Sequence, residues 1–259
     1  MKNDKLLMDT AVLAGEIMLQ SGAETYRVED TMCHILKTSK RQSIEALALM
    51  TGIVATINDE KMEQPITAVK NIKERSTNLN NIIKVNEISR KYCGGEILLE
   101  EAYERLKQVK EKQYSRMQFN LATIAVAAGF AVMYGGSAAD VLATALSGVW
   151  LAACMMFAKR IKMSSIFADI FSCAGIAILA MAAEAVLMVG LNLDIVIISA
   201  IMPIVPGVAI TNAIRDTLQG DYLSGCARIL EAFLKAASIA VGIGLGLMLY
   251  KTLTGGGIG

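Results

Sequence analysis

Residues 199–216 read SAIMPIVPGVAITNAIRD. The stretch is apolar enough to lie in a membrane, yet Pro203, Pro206 and Gly207 stand near its middle. Thr211, Asn212, Arg215 and Asp216 then follow within about two helical turns. A proline removes one backbone donor and clashes with the carbonyl four residues earlier, so a helix here is expected to kink or stop. Unpaired backbone at membrane depth is tolerated only where it is buried in protein or lines an aqueous cavity. Interrupted helices of that kind set helix ends against anionic solutes and coupling ions. Beyond the break, Thr211 with Arg215 and Asn212 with Asp216 form two adjacent i, i+4 rows, the signature of a polar path. Arg215 is placed to pair with Asp216, to anchor at headgroups, or to attract a carboxylate.

The surrounding composition supports lipid. Of 259 residues, 54% are hydrophobic and the mean hydropathy is +0.47, against an apolar share of about 45–50% in ordinary soluble domains. The charges are concentrated early: residues 1–116 hold 18 of the 25 Lys and Arg and 17 of the 24 Asp and Glu. The chain therefore divides into a charge-rich domain at 1–116 and an apolar domain at 117–259. Asp4, Asp9 and Glu16 interrupt the run that a secretory signal would need, so the first domain is expected to stay in the cytoplasm.

In the second half, apolar runs at about 118–136, 138–158, 166–190, 194–214 and 227–250 predict five transmembrane helices. Lys110, Lys112 and Arg116, then Lys159, Arg160 and Lys162, then Arg215 and Arg228 mark the loops of one side, while 134–140 and 189–194 carry no Lys or Arg. The positive-inside rule puts those basic loops and the N-terminus in the cytoplasm and the C-terminus outside. Glu184 lies well inside the third run, where an ionisable group needs a partner or water. Asp169, Asp216 and Glu231 are close enough to span ends to reach the interface, and Lys235 is expected to snorkel. Gly242 and Gly246 form a GxxxG pair suited to close helix packing, and the GGGIG tail at 255–259 is expected to fray.

The first half reads as a small α+β domain. Leu6, Leu13 and Ile17 share one helical face. Ser21 and Glu24 fit an S-x-x-E capping box for a second helix with Val28, Met32, Ile35 and Leu36 on its apolar face. Glu24, Arg27, Glu29 and Asp30 read either as a functional cluster or as a solvated face. Residues 43–57 suit a hairpin turning at Thr51-Gly52, 65–72 a further strand, and 79–95 a helix stopped by Gly94-Gly95. EILLEEAYERLKQVKEK at 96–112 is a charged helix leading to the membrane.

Several chemistries are unsupported. The five cysteines at 33, 93, 154, 173 and 226 form no CxxC, and His34 is the only histidine, so neither a zinc site nor a disulfide framework is expected. No G-x-x-x-x-G-K-[ST] run occurs. No cofactor and no nucleic-acid partner are expected, and no nucleophile, base and orienting acid assemble into an enzyme.

Taken in order, SGAETYRVEDTM (21–32), MPIVPGVAITNAIRD (202–216) and GDYLSGCARILEA (220–232) resemble the bacterial threonine/serine exporter family, over essentially the whole chain. Longer members have about ten spans, so five spans resemble the larger component of its split branch. The resemblance implies an inner-membrane exporter of threonine/serine-type amino acids or of dicarboxylates such as succinate, working with a small multi-span membrane partner. It directs attention to Ser21, Gly22, Glu24, Arg27, Glu29, Pro203, Pro206, Gly207, Asn212, Arg215 and Asp216. The rival expectations are a membrane-tethered enzyme and a regulatory subunit.

Overall fold

The computed structural model describes residues 2–109, 114–187 and 190–254. Lys110, Lys112, the start of the 189–194 loop and the GGGIG tail lie outside the described residues. The chain is mostly helical, with one small sheet, and clusters into two units. One comprises Met1–Lys112 with Gly207–Leu230, the other Gln113–Pro206 with Glu231–Gly259.

In the first unit, helix α1 (Lys2–Gln20) precedes α2 (Thr25–Lys37), and an antiparallel meander follows: β1 (Ser43–Leu49), β2 (Gly52–Asn58) and β3 (Ile66–Asn71) in the order β1-β2-β3. Leu49 pairs with Gly52, so the hairpin turns on Met50-Thr51, one residue earlier than the expected Thr51-Gly52. Gly52 is needed inside the ladder instead, where a Cβ would lie 3.1 Å from the Lys70 carbonyl of β3. Helices α3 (Leu79–Cys93) and α4 (Leu99–Val109) complete this run. Gly95 takes a left-handed φ of 77° just past α3, as the double glycine predicts. The α4 helix is not merely a charged connector: Ala102, Leu106 and Val109 are buried with Met8, Ile17, Met32, Ile35, Leu36 and Ile57 in one core.

The α1–α2 step departs from the capping-box expectation. Gly22 has φ 83°, Ala23 N–H donates to Met18 O at 3.0 Å, and Gly22 N–H donates to Leu19 O at 3.2 Å. That is a Schellman motif, so Ser21-Gly22 closes α1 rather than opening α2. Glu24 is itself the residue preceding α2, with no side-chain cap bond. Its carboxylate is engaged elsewhere, which is why it does not reach back to Ser21.

The second unit contains α5 (Arg116–Met133), α6 (Ala138–Arg160), α7 (Ser165–Leu187) and α8 (Leu193–Ile201). Capping boxes from Ser115 with Gln118 and from Ser137 with Asp140 start α5 and α6. The fourth apolar segment is interrupted as the prolines require. A 3-10 turn over Met202–Ile204 contains Pro203, Val205 is extended, and after Pro206 a new helix, α9 (Gly207–Leu218), begins. The last helix, α10 (Tyr222–Leu253), is continuous. Among the described residues, four helices are long and apolar enough to cross a membrane, or five if the interrupted pair is one span.

Large apolar side chains such as Leu142, Leu146, Phe167, Phe171, Phe233 and Met248 face outward in the second unit, while its interior holds small ones such as Ala143, Ala177 and Ala180. That distribution suits a lipid surround, where association depends on close packing rather than on hydrophobic exclusion. The Lys235 Nζ lies 3.7 Å from Asp169 Oδ2, a carboxylate near the start of α7.

Candidate functional site

Two sequence motifs that stand some 190 residues apart meet in the first unit. The end of α9 is a second Schellman motif, with Gly220 at φ 92°, its N–H on Thr217 O at 3.1 Å, and Asp221 N–H on Asp216 O at 2.9 Å. The chain therefore reverses sharply into α10. Gly225 fits against Thr217 and the Ala213 carbonyl, where a Cβ would collide, so the start of α10 runs close along α9. This brings Arg228 back opposite Asp216.

Asp216 is fully buried and Arg228 nearly so. Arg228 Nε donates to Asp216 Oδ2 at 2.8 Å. The second carboxylate oxygen, Oδ1, accepts the Thr25 N–H at 3.0 Å, so this anion also caps the N-terminus of α2, where the helix dipole favours negative charge. Arg228 further donates through NH2 to Ala23 O at 2.7 Å, and Asn212 Nδ2 donates to Gly22 O at 2.7 Å. The 21–25 loop is thus clamped by α9 and α10 on carbonyls and an amide that no intrahelical bond would satisfy. From another direction Ser76 N–H bonds Gln20 O at 2.8 Å and Asn78 N–H bonds Ser21 O at 2.9 Å.

Glu24 completes the junction. Its Oε1 accepts from Arg215 at 2.6 Å and its Oε2 lies 3.4 Å from Arg27. Burial acts against its charge, but its own backbone N–H, the Arg215 hydrogen bond and the two guanidinium charges outweigh that and hold the carboxyl below the usual range. Glu29 behaves oppositely. Burial pushes it up, the Ala48 N–H bond at 2.8 Å opposes this, and the carboxylates of Asp221 and Asp216 add to the upward shift.

These contacts reassign several residues. Arg215 does not pair with Asp216, because the i, i+1 positions point apart on α9. It pairs with Glu24, while Asp216 is buried against Arg228. Of the two predicted rows, Asn212 with Asp216 is buried in the junction and Thr211 with Arg215 is exposed, with Thr211 Oγ1 returned to Gly207 O at 3.0 Å. Ser21, Gly22, Glu24, Arg27, Glu29, Gly207, Thr211, Asn212, Arg215 and Asp216 all belong to the first unit. Pro203, Pro206 and Glu184 belong to the second, where Glu184 is half-buried on α7 without an ion pair among the described residues.

Arg228 is the residue that the sequence reading used only as a loop charge. The signal for it was the GDYLSG turn, which reverses the chain between Asp216 and Arg228. Thr25, which the sequence offers beside the Glu24 cluster, has its hydroxyl buried at the same loop without a hydrogen-bond partner among the described residues.

The threonine/serine exporter family model matches residues 9–250. Over 255 residues the chain is 25% identical to a "Probable threonine/serine exporter" of Mycobacterium tuberculosis, covering 97% of this chain and 47% of that protein. The chain thus spans about half the length of the curated relative it matches. No solved structure matches.

Proposed function

Because the chain belongs to the threonine/serine exporter family, which points to a transporter rather than an enzyme, and carries among the described residues four or five helices long and apolar enough to cross a membrane, we propose that it is a subunit of a bacterial inner-membrane exporter of small polar metabolites. Its substrates are threonine/serine-type amino acids or dicarboxylates such as succinate. It works with a small multi-span membrane partner, as in the split branch that its motifs resemble, with its N-terminus cytoplasmic and its C-terminus outside. The observation that carries this reading is the charged junction of buried Glu24, Asp216 and Arg228 with the exposed Arg215, which ties the 21–25 loop to the helix resuming after Pro206. Charged groups assembled on a helix that resumes after a proline break are what moving a polar solute past lipid requires.

The deciding experiment measures efflux of labelled threonine and labelled succinate from cells lacking their own exporters. The cells carry this chain alone, the partner alone, or both. Efflux of either compound only with both chains is expected; efflux with the partner alone would make this chain regulatory instead.

Within that system Arg215→Ala separates transport from folding. Arg215 is 55% exposed, so losing its pair with Glu24 costs about 1 kcal/mol of stability or less. Efflux is expected to fall several-fold at unchanged membrane abundance, and equal efflux at equal abundance would remove Arg215 from the path. Glu184 serves in this reading as a proton carrier. Glu184→Gln is expected to abolish the dependence of efflux on external pH, and a variant with normal flux and the same pH profile would exclude that role.

A further inference from the structure

The α2 helix presents a second polar face besides the loop that it starts. Arg27, Asp30, Thr31 and His34 stand at i, i+3, i+4 and i+7, on one side of the helix. Across from them Asn86, Ser89, Arg90 and Cys93 repeat the same spacing on α3. The two rows enclose an open cleft of about 280 Å³, where two neighbouring helices would ordinarily close on apolar side chains. Its size suits a metabolite smaller than the usual drug-sized ligand.

The lining specifies a charge pattern. Arg90 has no ion pair among the described residues. Arg27 holds only the 3.4 Å contact with Glu24, whose other oxygen already serves Arg215. Asp30 and His34 face the same space, with His34 Nδ1 2.8 Å from the Asp30 carbonyl and 3.1 Å from its carboxylate. Ser89 and Thr31 are largely buried along the same lining, and Ser89 bonds Cys93. Two guanidinium forks match a carboxylate, and one carboxylate beside them matches an ammonium.

We propose that this cleft binds a small zwitterion, an α-amino acid, with its carboxylate on Arg27 and Arg90 and its ammonium on Asp30. Occupancy draws Arg27 away from Glu24, so the ligand is felt at the Glu24–Arg215 pair. The inference concerns binding alone and stands whether or not the junction lines an export path.

The test is equilibrium binding of labelled L-threonine to the full chain in detergent micelles, with succinate and inorganic phosphate as comparison probes. Saturable threonine binding is expected. It should weaken at least tenfold in Arg90→Ala and less in Arg90→Lys, and Asp30→Asn should weaken threonine without weakening succinate. Arg90 and Asp30 are exposed, so each variant should melt with the wild type. Threonine binding that is absent from the folded wild type, or undiminished in Arg90→Ala, would overturn the proposal. So would phosphate or succinate binding more tightly than threonine, the mark of a simple anion site. Loss in Arg215→Ala with retention in Arg90→Ala would move the ligand to the junction and equally overturn it.

Discussion

Arg228→Ala is expected to unfold the first unit more readily than any surface substitution, by about 3–5 kcal/mol, because it leaves a buried carboxylate without its counter-charge. Asp216 is 0% exposed and cannot turn to water. The same change orphans the Ala23 carbonyl, which Arg228 also serves. For a chain of this size the loss corresponds to a midpoint roughly 10 °C lower, read by thermal melting in detergent together with membrane abundance. Asp216→Ala should behave alike, since it strands the guanidinium and uncaps α2. Asp216 is therefore unsuited to a pure transport test, in contrast to the exposed Arg215. The double variant Asp216→Asn with Arg228→Gln removes both charges and should recover part of the loss, the non-additivity expected of residues in contact. A single Arg228→Ala variant melting within about 2 °C of the wild type would show that the pair does not hold the loop in place.

Gly246→Ala is expected to give the largest effect in the membrane helices. A Cβ there meets the Ala174 carbonyl and lies 2.8 Å from the Ala177 Cβ on α7; at Gly242 it would lie 2.5 Å from the Ile170 carbonyl and 2.8 Å from the Cys173 Cβ. These are backbone obstacles that cannot rotate aside, so α7 and α10 must separate. Alanine favours a helix over glycine by about 1 kcal/mol, while overpacking costs typically about 1–3 kcal/mol. With backbone atoms this close the clash wins, and a loss of about 2 kcal/mol or more in stability is expected. Gly244→Ala supplies the control, since nothing stands within 4 Å of its Cβ and the propensity gain should appear alone. Equal melting of the two variants would show that the GxxxG face does not pack.

What the sequence determined by itself were features set by local chemistry and periodicity. The prolines at 203 and 206 stop a helix wherever they lie, so the interruption of the fourth apolar segment was legible. So were the apolar face of α2, the β-rich stretches at 43–57 and 65–72, the stop at Gly94-Gly95 and the close-packing glycines of α10. Motif order identified the family for the same reason.

The partners of the charged residues were decided only by tertiary structure. Arg215 with Glu24 and Asp216 with Arg228 are choices among several residues of suitable charge, and sequence separation carries no preference between them. The S-x-x-E spacing at 21–24 misled because a capping box is one local option for a carboxylate. A guanidinium arriving from α9, 191 residues away, offers a stronger bond. Burial made the same difference for Asp216. It was read as reaching the interface because a charge alone in an apolar segment must find water, and it found the Arg228 guanidinium once the helices had packed.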